Sequence, residues 1–426
     1  MTYNIIKRTT RNAFVSVFIC SALFTVYSCT EYNDSVNEVN KFSKLEFHRI
    51  TAKQAKENAL NFVENFANST RAAKRPLTVS EVKAISKSTG KTRSSESSIN
   101  LDTLFYVVNF DDNQGFVIAA SDDRETPVFA YVEEGNYEEE TSNNGYEAFM
   151  DALIDYEINA QTLPELPHDI DRSPLDTGGQ GVDNPHPDKF EVMYPLLKTK
   201  WDQTMFNTYC PGVYTGCVVT AISQICSYLK NPINISWAYN GYGNQCTMEW
   251  DRIVNESVLG FGYLNSPDLC SQVSNLMRFW GLAFDAEYED GGTGVDSDKA
   301  ISKMQELGFN ATDLSDYDAK NVMNDLKKGN RIIFMRGNAR YYHVGFIFRK
   351  YVDGHAWAVD GYIHSVKNNK ESVYIHCNWG WGGSQNGYFL SDVLNAEEGP
   401  VYSDNANLIT RSSNYQYKLK TSTICK

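Results

Sequence analysis

Apolar positions predict a first group of structural elements between residues 46 and 160. Thr51 can cap a helix whose apolar residues fall on one face at helical spacing: Ala55, Ala59, Phe62, Val63 and Phe66. Apolar runs typical of strands follow at 104–110, 115–120 and 128–132, with a turn over 111–115 between the first two. A further helix is predicted near 145–160. This part of the chain is therefore predicted to be a small α+β domain, preceded by a polar tether over 29–45.

A second group of elements is predicted from residue 192 to residue 426, with helices before strands. Val218, Ile222, Ile225 and Leu229 recur at helical spacing. Further helices are predicted near 266–281, 297–307 and 318–328, and strands at 331–336, 344–350, 355–362, 371–378 and 386–390. Helices followed by strands indicate an α+β fold with segregated elements, not a doubly wound sheet.

A linker is predicted between the two groups, over residues 161–191. It contains five prolines and three glycines, which disfavour regular structure. Exposed linkers of this composition are where proteolytic cleavage concentrates. A second loop is predicted over 84–100, which is rich in Ser, Lys and Thr.

The first 28 residues have the features of an export signal. Lys7, Arg8 and Arg11 precede a mostly apolar stretch over 13–27 that is short for a membrane span. The stretch ends at Ser28-Cys29, which resembles a bacterial lipobox, so we expect Cys29 to be lipid-modified. An ordinary signal peptide with a chance cysteine, or a short uncleaved anchor, is the alternative. Either way we expect an exported protein, held at the cell envelope or released after processing.

Composition excludes several functions. The chain of 426 residues has a formal net charge of −14 and no long Lys/Arg run, so nucleic-acid binding is not expected. Seven of the nine cysteines lie beyond the leader, an odd number with no CxxC pair. We therefore expect neither a metal site nor a cofactor, and at least one reactive thiol.

Cys217 is the candidate nucleophile. It stands at the start of the apolar helix, behind Thr215-Gly216. The N-terminus of a helix favours a thiolate, which is the reactive form of cysteine. A cysteine is more commonly a buried core residue, and Cys226 on the same helix fits that role better.

His355 is the candidate base, at the start of a predicted strand and beside Gly354. It lies 138 residues after Cys217, a separation within the roughly 130–150 residues found in papain-type enzymes. Asn378, in the Trp- and Gly-rich segment that follows, can hold the imidazole through its amide oxygen. Trp379 can shield that hydrogen bond from water. A structural Gly/Trp turn is the alternative for this segment.

Four motifs in order resemble the streptopain family, bacterial cysteine proteases with a papain-like fold: Lys198-Thr199-Lys200-Trp201-Asp202-Gln203, Thr215-Gly216-Cys217, Gly354-His355-Ala356-Trp357-Ala358-Val359-Asp360-Gly361 and Asn378-Trp379-Gly380-Trp381-Gly382-Gly383. Segments 105–110, 115–118 and 121–124 resemble that family's propeptide. The stretch from Arg336 to Asp353 departs from the family pattern, so residues of a substrate pocket are not carried over there.

The resemblance implies a role for each site residue. Cys217 is implied as nucleophile, His355 as general base and then acid, Asn378 as the residue that orients the imidazole, and Trp379 as its shield. Gln203 matches the side chain that donates to the oxyanion, beside the Cys217 backbone N–H. The resemblance also implies a zymogen whose propeptide covers the active site and is removed by cleavage, here in the linker.

The expected function is thus a cysteine endopeptidase that forms a thioester acyl-enzyme on peptide substrates. Its own propeptide is expected as an intramolecular inhibitor, and a lipid at Cys29 as its contact with the membrane. Two alternatives remain at this point. One is a cell-wall or transglutaminase-type acyltransferase with a similar Cys–His pair, and the other is an inactive surface lipoprotein acting as inhibitor or adhesin.

Overall fold

The structure is a computed structural model that describes residues 48–69, 77–86, 102–139, 141–162, 186–338, 341–344, 348–351, 354–394 and 419–426. The first described helix shows how local sequence sets the elements of the N-terminal region. The Thr51 side chain accepts a hydrogen bond from the Gln54 N–H, and Gln54 Oε1 accepts one from the Thr51 N–H. This capping box starts helix α1, and the apolar face predicted from the sequence is buried.

The described residues of the N-terminal region, within 48–162, form two α-helices and four strands. They are α1 (Ala52–Asn68), β1 (Val79–Ser86), β2 (Thr103–Phe110), β3 (Phe116–Ala120), β4 (Val128–Val132) and α2 (Asn144–Thr162). Strands β2, β3 and β4 are buried along their whole length. Helix α1 and helix α2 both contact this sheet.

The helical part of the C-terminal region, residues 186–426, comes first along the chain. Its elements up to residue 327 are β5 (Lys189–Met193), α3 (Cys217–Leu229), β6 (Asn234–Tyr239), β7 (Tyr242–Thr247), α4 (Trp250–Leu259), α5 (Pro267–Ala283), β8 (Glu287–Glu289), β9 (Gly292–Gly294), α6 (Ser297–Glu306), β10 (Asn310–Ala311), β11 (Ser315–Asp316) and α7 (Ala319–Lys327). Helix α3 is buried almost throughout, which makes it the central helix of this part.

The strand-rich part follows. Its elements are β12 (Arg331–Asn338), β13 (Tyr341–Val344), β14 (Phe348–Tyr351), β15 (Gly354–Lys367), β16 (Lys370–Asn378), β17 (Gly387–Leu390), α8 (Ser391–Leu394) and β18 (Lys420–Cys425). The order of helices and strands confirms the predicted α+β class.

One antiparallel sheet of twelve strands runs through both regions. Its order is β1-β2-β3-β4-β17-β16-β15-β12-β18-β10, with β5 paired to β15 and β11 paired to β18. Strands β4 and β17 join the two regions, with Tyr131 opposite Tyr388 and Ala130 opposite Phe389. The N-terminal region therefore extends the sheet of the C-terminal region.

Two hydrophobic cores lie in the described residues. One contains α3, α5 and the side chains of β12 and β15 that point toward them, including Ile332 and Ala358. The other contains α1, α2 and side chains from both halves of the sheet, including Phe389 and Trp379. Because the second core is shared between the two regions, the N-terminal region contributes to packing behind the site.

The structure differs from the sequence predictions at several places, among them three strands of the large sheet. Strand β1 was missed, and its last residues lie in the predicted loop over 84–100. Strand β5 begins at Lys189, inside the predicted linker. Strand β15 continues to Lys367, beyond the end of the strand predicted at 355–362. Short edge strands with mixed burial lack a clear alternation of apolar and polar residues, which is why the pattern did not reveal β1 and β5.

The predicted strand at 344–350 is divided in the structure between β13 and β14, which form a hairpin. Its central residues lie outside the described part of the chain, as do the predicted signal peptide and tether. Among the described helices, none has the length and apolar character required to cross a bilayer.

Candidate active site

Helix α3 begins at Cys217, so the sulfur lies at the helix N-terminus. Gly216 precedes it with φ +97°, a conformation that side chains disfavour. A Cβ there would lie 3.2 Å from the Thr293 side chain and from its carbonyl oxygen. Thr293 itself donates to the Tyr214 carbonyl at 2.6 Å. Glycine at 216 therefore allows strand β9 to pack directly against the turn that presents the thiol.

Hydrogen bonds inside the first turn of α3 fix this arrangement. The Thr220 hydroxyl donates to the Gly216 carbonyl at 2.9 Å and lies 3.0 Å from the Thr215 hydroxyl. Thr215 N–H in turn donates to the Gln203 carbonyl at 2.8 Å. The loop that carries Gln203 is thus tied to the residue two positions before Cys217.

Cys217, His355 and Gln203 line one cleft of about 810 Å³, together with Trp381. The three predicted residues come from different elements: the start of α3, the start of β15 and the loop before α3. The cleft wall opposite them is built by the β8–β9 hairpin and the first turn of α6. The structure therefore places the candidate nucleophile, the candidate base and the candidate oxyanion donor in one cleft.

His355 is buried and lies opposite Gly337 of β12. Its Nε2–H donates to the Trp379 carbonyl oxygen at 2.8 Å. The ring stacks on Trp357, with centroids 6.0 Å apart. Burial lowers the pKa of His355 to about 4, and the bond to Trp379 offsets this only in part. The imidazole is therefore neutral at physiological pH, with Nδ1 as its remaining nitrogen.

Asn378 lies at the end of β16, beside the cleft but outside its lining. Its Nδ2 donates to the Thr199 carbonyl at 3.0 Å, and its Oδ1 accepts from Gln224 Nε2 at 3.1 Å. The ring of His355 bonds to the backbone of Trp379, while the Asn378 amide bonds to this buried network. Asn378 thus fixes the segment that supplies the Trp379 carbonyl.

Gln224 is a site residue that the sequence analysis missed. Its Oε1 accepts from the Trp201 N–H at 3.0 Å, and its Nε2 donates to Asn378. The residue is fully buried on helix α3. A glutamine within an otherwise apolar helix was the available signal, because a buried amide requires partners.

Trp379 is fully buried and packs between aromatic rings. Its centroid lies 5.0 Å from that of Trp357 and 5.1 Å from that of Phe389. Its Nε1–H donates to the Gln385 carbonyl at 2.9 Å. These contacts hold the Trp379 backbone where it accepts from His355, and they exclude water from that hydrogen bond.

The first turn of α2, from the N-terminal region, lies against this site. Asn144 lines the cleft, and a Cβ at Gly145 would lie 2.7 Å from His355 Cδ2 and 2.4 Å from Trp379 Cε3. Asn143 fixes the turn, because its Nδ2 donates to the Ser384 carbonyl at 3.0 Å and its Oδ1 accepts from the Tyr146 N–H. This region was expected to cover the active site, but these residues were not predicted.

Outside this cleft, the described residues offer no candidate metal site. Cys226 is fully buried, as expected of a core residue, and burial raises the pKa of its thiol. No cluster of three or more His, Cys, Asp or Glu side chains with metal-binding geometry occurs within the described ranges.

Comparisons with known proteins agree with this geometry. Residues 201–389 match the model of the Peptidase C10 family, and residues 48–156 match that of the Spi protease inhibitor. Streptopain of Streptococcus pyogenes is 23% identical over 372 residues, covering 80% of this chain and 85% of its own. The thiol protease/hemagglutinin PrtT of Porphyromonas gingivalis is 27% identical over 329 residues, covering 69% of this chain. This chain spans only 34% of the length of PrtT.

A solved structure supports the fold. The prointerpain A fragment of Prevotella intermedia superposes with a TM-score of 0.50 at 19% identity, covering 82% of this chain and 98% of that fragment. The family matches and the fold together indicate a cysteine protease zymogen of papain-like fold, with an inhibitor domain ahead of the protease domain. The match of residues 201–389 to the Peptidase C10 family agrees with the resemblance to the streptopain family that the motifs indicated. These findings favour a protease over the acyltransferase and the inactive lipoprotein.

Proposed function

We propose that the protein is an endopeptidase zymogen in which Cys217 and His355 carry out peptide hydrolysis. The observation that supports this most directly is that both residues and Gln203 line one cleft. Because the Trp379 carbonyl engages Nε2 of His355, Nδ1 is the nitrogen left to exchange a proton with the sulfur. The protein as a whole is proposed to act on extended peptide segments of protein substrates.

The reaction begins when the Cys217 thiolate attacks the scissile carbonyl carbon. The carbonyl oxygen becomes an oxyanion, which accepts from the Cys217 N–H and from the Gln203 side-chain amide. The proton that His355 took from the thiol then passes to the leaving amine, and the C–N bond breaks to leave a thioester on Cys217. Water, deprotonated by His355, attacks the thioester, and the acid product leaves with the thiol restored.

Asn378 and Trp379 act in this proposal as positioning residues. The Asn378 amide holds the turn after β16 through Gln224 and Thr199. That turn carries the Trp379 carbonyl, which fixes the ring of His355. Loss of the Asn378 amide would therefore disturb the imidazole through the backbone.

Latency is proposed to arise from the first turn of α2. Asn144 takes up part of the cleft, and Gly145 packs on the rings of His355 and Trp379. Substrate cannot occupy the same space, so the N-terminal region must leave before catalysis. We place the first cleavage of maturation in the linker before β5, because Lys189 already pairs with β15.

The exported protein is further proposed to be a lipoprotein of the cell envelope, acylated at Cys29. The Ser28-Cys29 sequence at the end of the apolar leader supports this proposal. Intact mass of the protein isolated from membranes decides it. A diacyl adduct on a chain beginning at Cys29 is expected, whereas an unmodified N-terminus at another residue would contradict it.

The proposed activity is tested with Cys217→Ala and, as a matched thiol control, Cys226→Ala. Cys217→Ala is expected to remain folded and full-length and to cleave casein at least about 1,000-fold more slowly, because the acyl-enzyme cannot form. Cys226→Ala should mature and cleave casein, since its thiol lies in the core. Casein cleavage by Cys217→Ala at the wild-type rate would rule out the proposal.

A further inference from the structure

Two buried carboxyl groups face each other in the N-terminal region, away from the catalytic residues. Glu125 lies in the loop between β3 and β4, and Glu157 lies on α2. Their exposed fractions are 6% and 1%. Glu125 Oε2 and Glu157 Oε1 accept no hydrogen bond from the described residues. We refer to these two residues as the carboxyl pair.

The cations nearest the carboxyl pair are engaged elsewhere. Arg49 donates through Nη1 to the Thr103 carbonyl at 2.8 Å and to the Ser121 hydroxyl at 2.5 Å. Arg124 binds both carboxylate oxygens of Asp122, at 2.8 and 2.7 Å. Two full negative charges on the pair would thus be buried without direct compensation, which is energetically costly.

Burial raises the pKa of Glu125 to about 7, and the negative charge of the neighbouring Asp122 adds to this effect. Burial and the adjacent Glu125 raise the pKa of Glu157 well above its usual value. Two carboxyl groups in such contact retain a proton between them near neutral pH. The protonated pair is therefore the form that fits the latent structure.

The helix that carries Glu157 is also the helix that covers the active site. Its first turn packs on His355 through Gly145, and its next turn packs Phe149 against Phe389, with centroids 4.7 Å apart. Glu157 lies further along the same helix, where it faces the β3–β4 loop. Ionisation of the pair would weaken the attachment of α2 to the N-terminal sheet.

We propose that the carboxyl pair of Glu125 and Glu157 is a pH-sensitive contact that holds α2 over the active site. While the pair keeps its proton, α2 stays attached and the zymogen is latent. Loss of the proton at rising pH loosens α2 and promotes maturation. This inference rests on the proposed role of α2 in latency, but its test does not require proteolytic activity.

The direction of the pH effect follows from the raised pKa of both carboxyl groups. A carboxyl group whose pKa is raised on folding binds its proton more tightly when folded. The stabilisation it provides is present below about pH 4.5, the unfolded value, and is lost as pH rises through about 7 for Glu125. Helix α2 is thus expected to open more readily toward alkaline pH.

Charged groups around the pair come from three parts of the chain: Arg49 before α1, Asp122 and Arg124 in the β3–β4 loop, and Lys370 of β16. Lys370 reaches the Arg124 carbonyl at 3.4 Å. A cavity of about 610 Å³ between α1 and β16 is lined by Glu125, Arg124 and Lys370. It gives protons and water access to Glu125.

Hydrogen exchange of α2 in the inactive Cys217→Ala zymogen tests the proposal between about pH 6.5 and 8. After correction for intrinsic exchange, opening of α2 is expected to increase at least threefold over this range, because at least one proton is lost. His355 is partly protonated in the open state at the lower end of this range, because its ordinary pKa is about 6.5, and this contribution is the same in every variant. In Glu125→Gln/Glu157→Gln, which cannot ionise at these positions, opening of α2 should not increase with pH, and the expected threefold increase is the difference between the parent zymogen and this variant.

Glu64→Gln is the matched control, since Glu64 is exposed on α1; it should keep the full pH dependence. His48, 2.9 Å from Asp123, is unchanged in every variant and so cancels in the comparison. Infrared spectra of the Cys217→Ala zymogen provide a readout that needs no carboxyl variant to fold. A protonated carboxylic acid band is expected at pH 7, and its absence, or pH-independent opening of α2, would overturn the proposal.

Discussion

Two glycines let other parts of the chain approach the catalytic residues closely. At Gly216 the positive φ disfavours a side chain, and Thr293 would be in tight contact with an added Cβ. At Gly145 the rings of His355 and Trp379 occupy the space that a Cβ would need. The first glycine shapes the turn before the nucleophile, and the second allows α2 to cover it.

Gly216→Ala is expected to lower the free energy of unfolding by about 1–3 kcal/mol, because alanine is strained at this φ and must displace Thr293. Chemical denaturation in the Cys217→Ala background measures the loss. Gly291→Ala is the control, since no atom lies within 4 Å of its added Cβ; it should stay within about 0.5 kcal/mol of the parent. Equal effects at both positions would contradict this explanation.

The burial of His355 predicts a pH dependence of zymogen stability. Its pKa of about 4 in the folded protein lies below the usual value, so protonation favours the unfolded chain. The stabilisation is present above about pH 6.5 and is lost as pH falls toward 4. Between pH 7 and 4.5 the Cys217→Ala zymogen should lose about 2–3 kcal/mol more than the same zymogen carrying His355→Asn. Parallel pH profiles for the two proteins would refute this.

At the scale of elements, α2 connects the inhibitory contact to the core. Phe149 packs on Phe389 of β17, and Tyr146 contacts the same ring with centroids 6.1 Å apart. These contacts press the helix against the strand next to the Trp379 turn. Small changes in the first turn of α2 should therefore alter latency more than changes on its outer face.

The graded variants Gly145→Ala and Gly145→Leu test this dependence. An added side chain would overlap His355 and Trp379, so α2 must shift, at a cost of about 1–3 kcal/mol. We expect the rate of linker cleavage to be highest for Gly145→Leu, intermediate for Gly145→Ala and lowest for the wild type. The rate is measured by gel electrophoresis of zymogens that carry no other substitution. Ile158→Val on the exposed side of α2 should mature at the wild-type rate, and an unchanged rate for Gly145→Leu would argue against the role of α2.

At the scale of the whole molecule, the inhibitor domain is held by more than α2. Strand β4 pairs with β17, so the sheet is continuous between the two domains. Phe62 and Phe66 of α1 pack on Tyr374 and Tyr388, with centroids 5.2 and 5.4 Å apart. Cutting the linker removes only the covalent connection and leaves these contacts in place.

Cleavage of the linker alone is therefore not expected to separate the domains. A site for a foreign protease, placed within residues 170–180 of the Cys217→Ala zymogen, allows the cut to be made without self-processing. Both fragments should co-elute in size-exclusion chromatography at neutral pH and separate only in denaturant. Separation without denaturant would mean that the linker, and not the shared sheet and core, retains the inhibitor domain.

Most of the candidate site residues could be proposed from the sequence, because reactive residues carry local signals. Cys217 starts an apolar helix, and His355 and Asn378 lie in segments with unusual Gly and Trp content. Gln203 was found only through the resemblance to a family. The fold class also followed from sequence, because the apolar spacing changes from helical to strand-like along the chain.

Contacts between distant segments could not be derived in this way. Gln224 and Asn378 lie 154 positions apart yet hydrogen-bond to each other, and Gly145 meets His355 across an even longer stretch of the chain. The partner of His355 proved to be a backbone carbonyl, a group that every residue carries and that leaves no trace in composition. Sequence determined which side chains could react. The tertiary structure decided which groups hold them, and that an inhibitor helix rests on them, because burial and pairing depend on the packing of the whole chain.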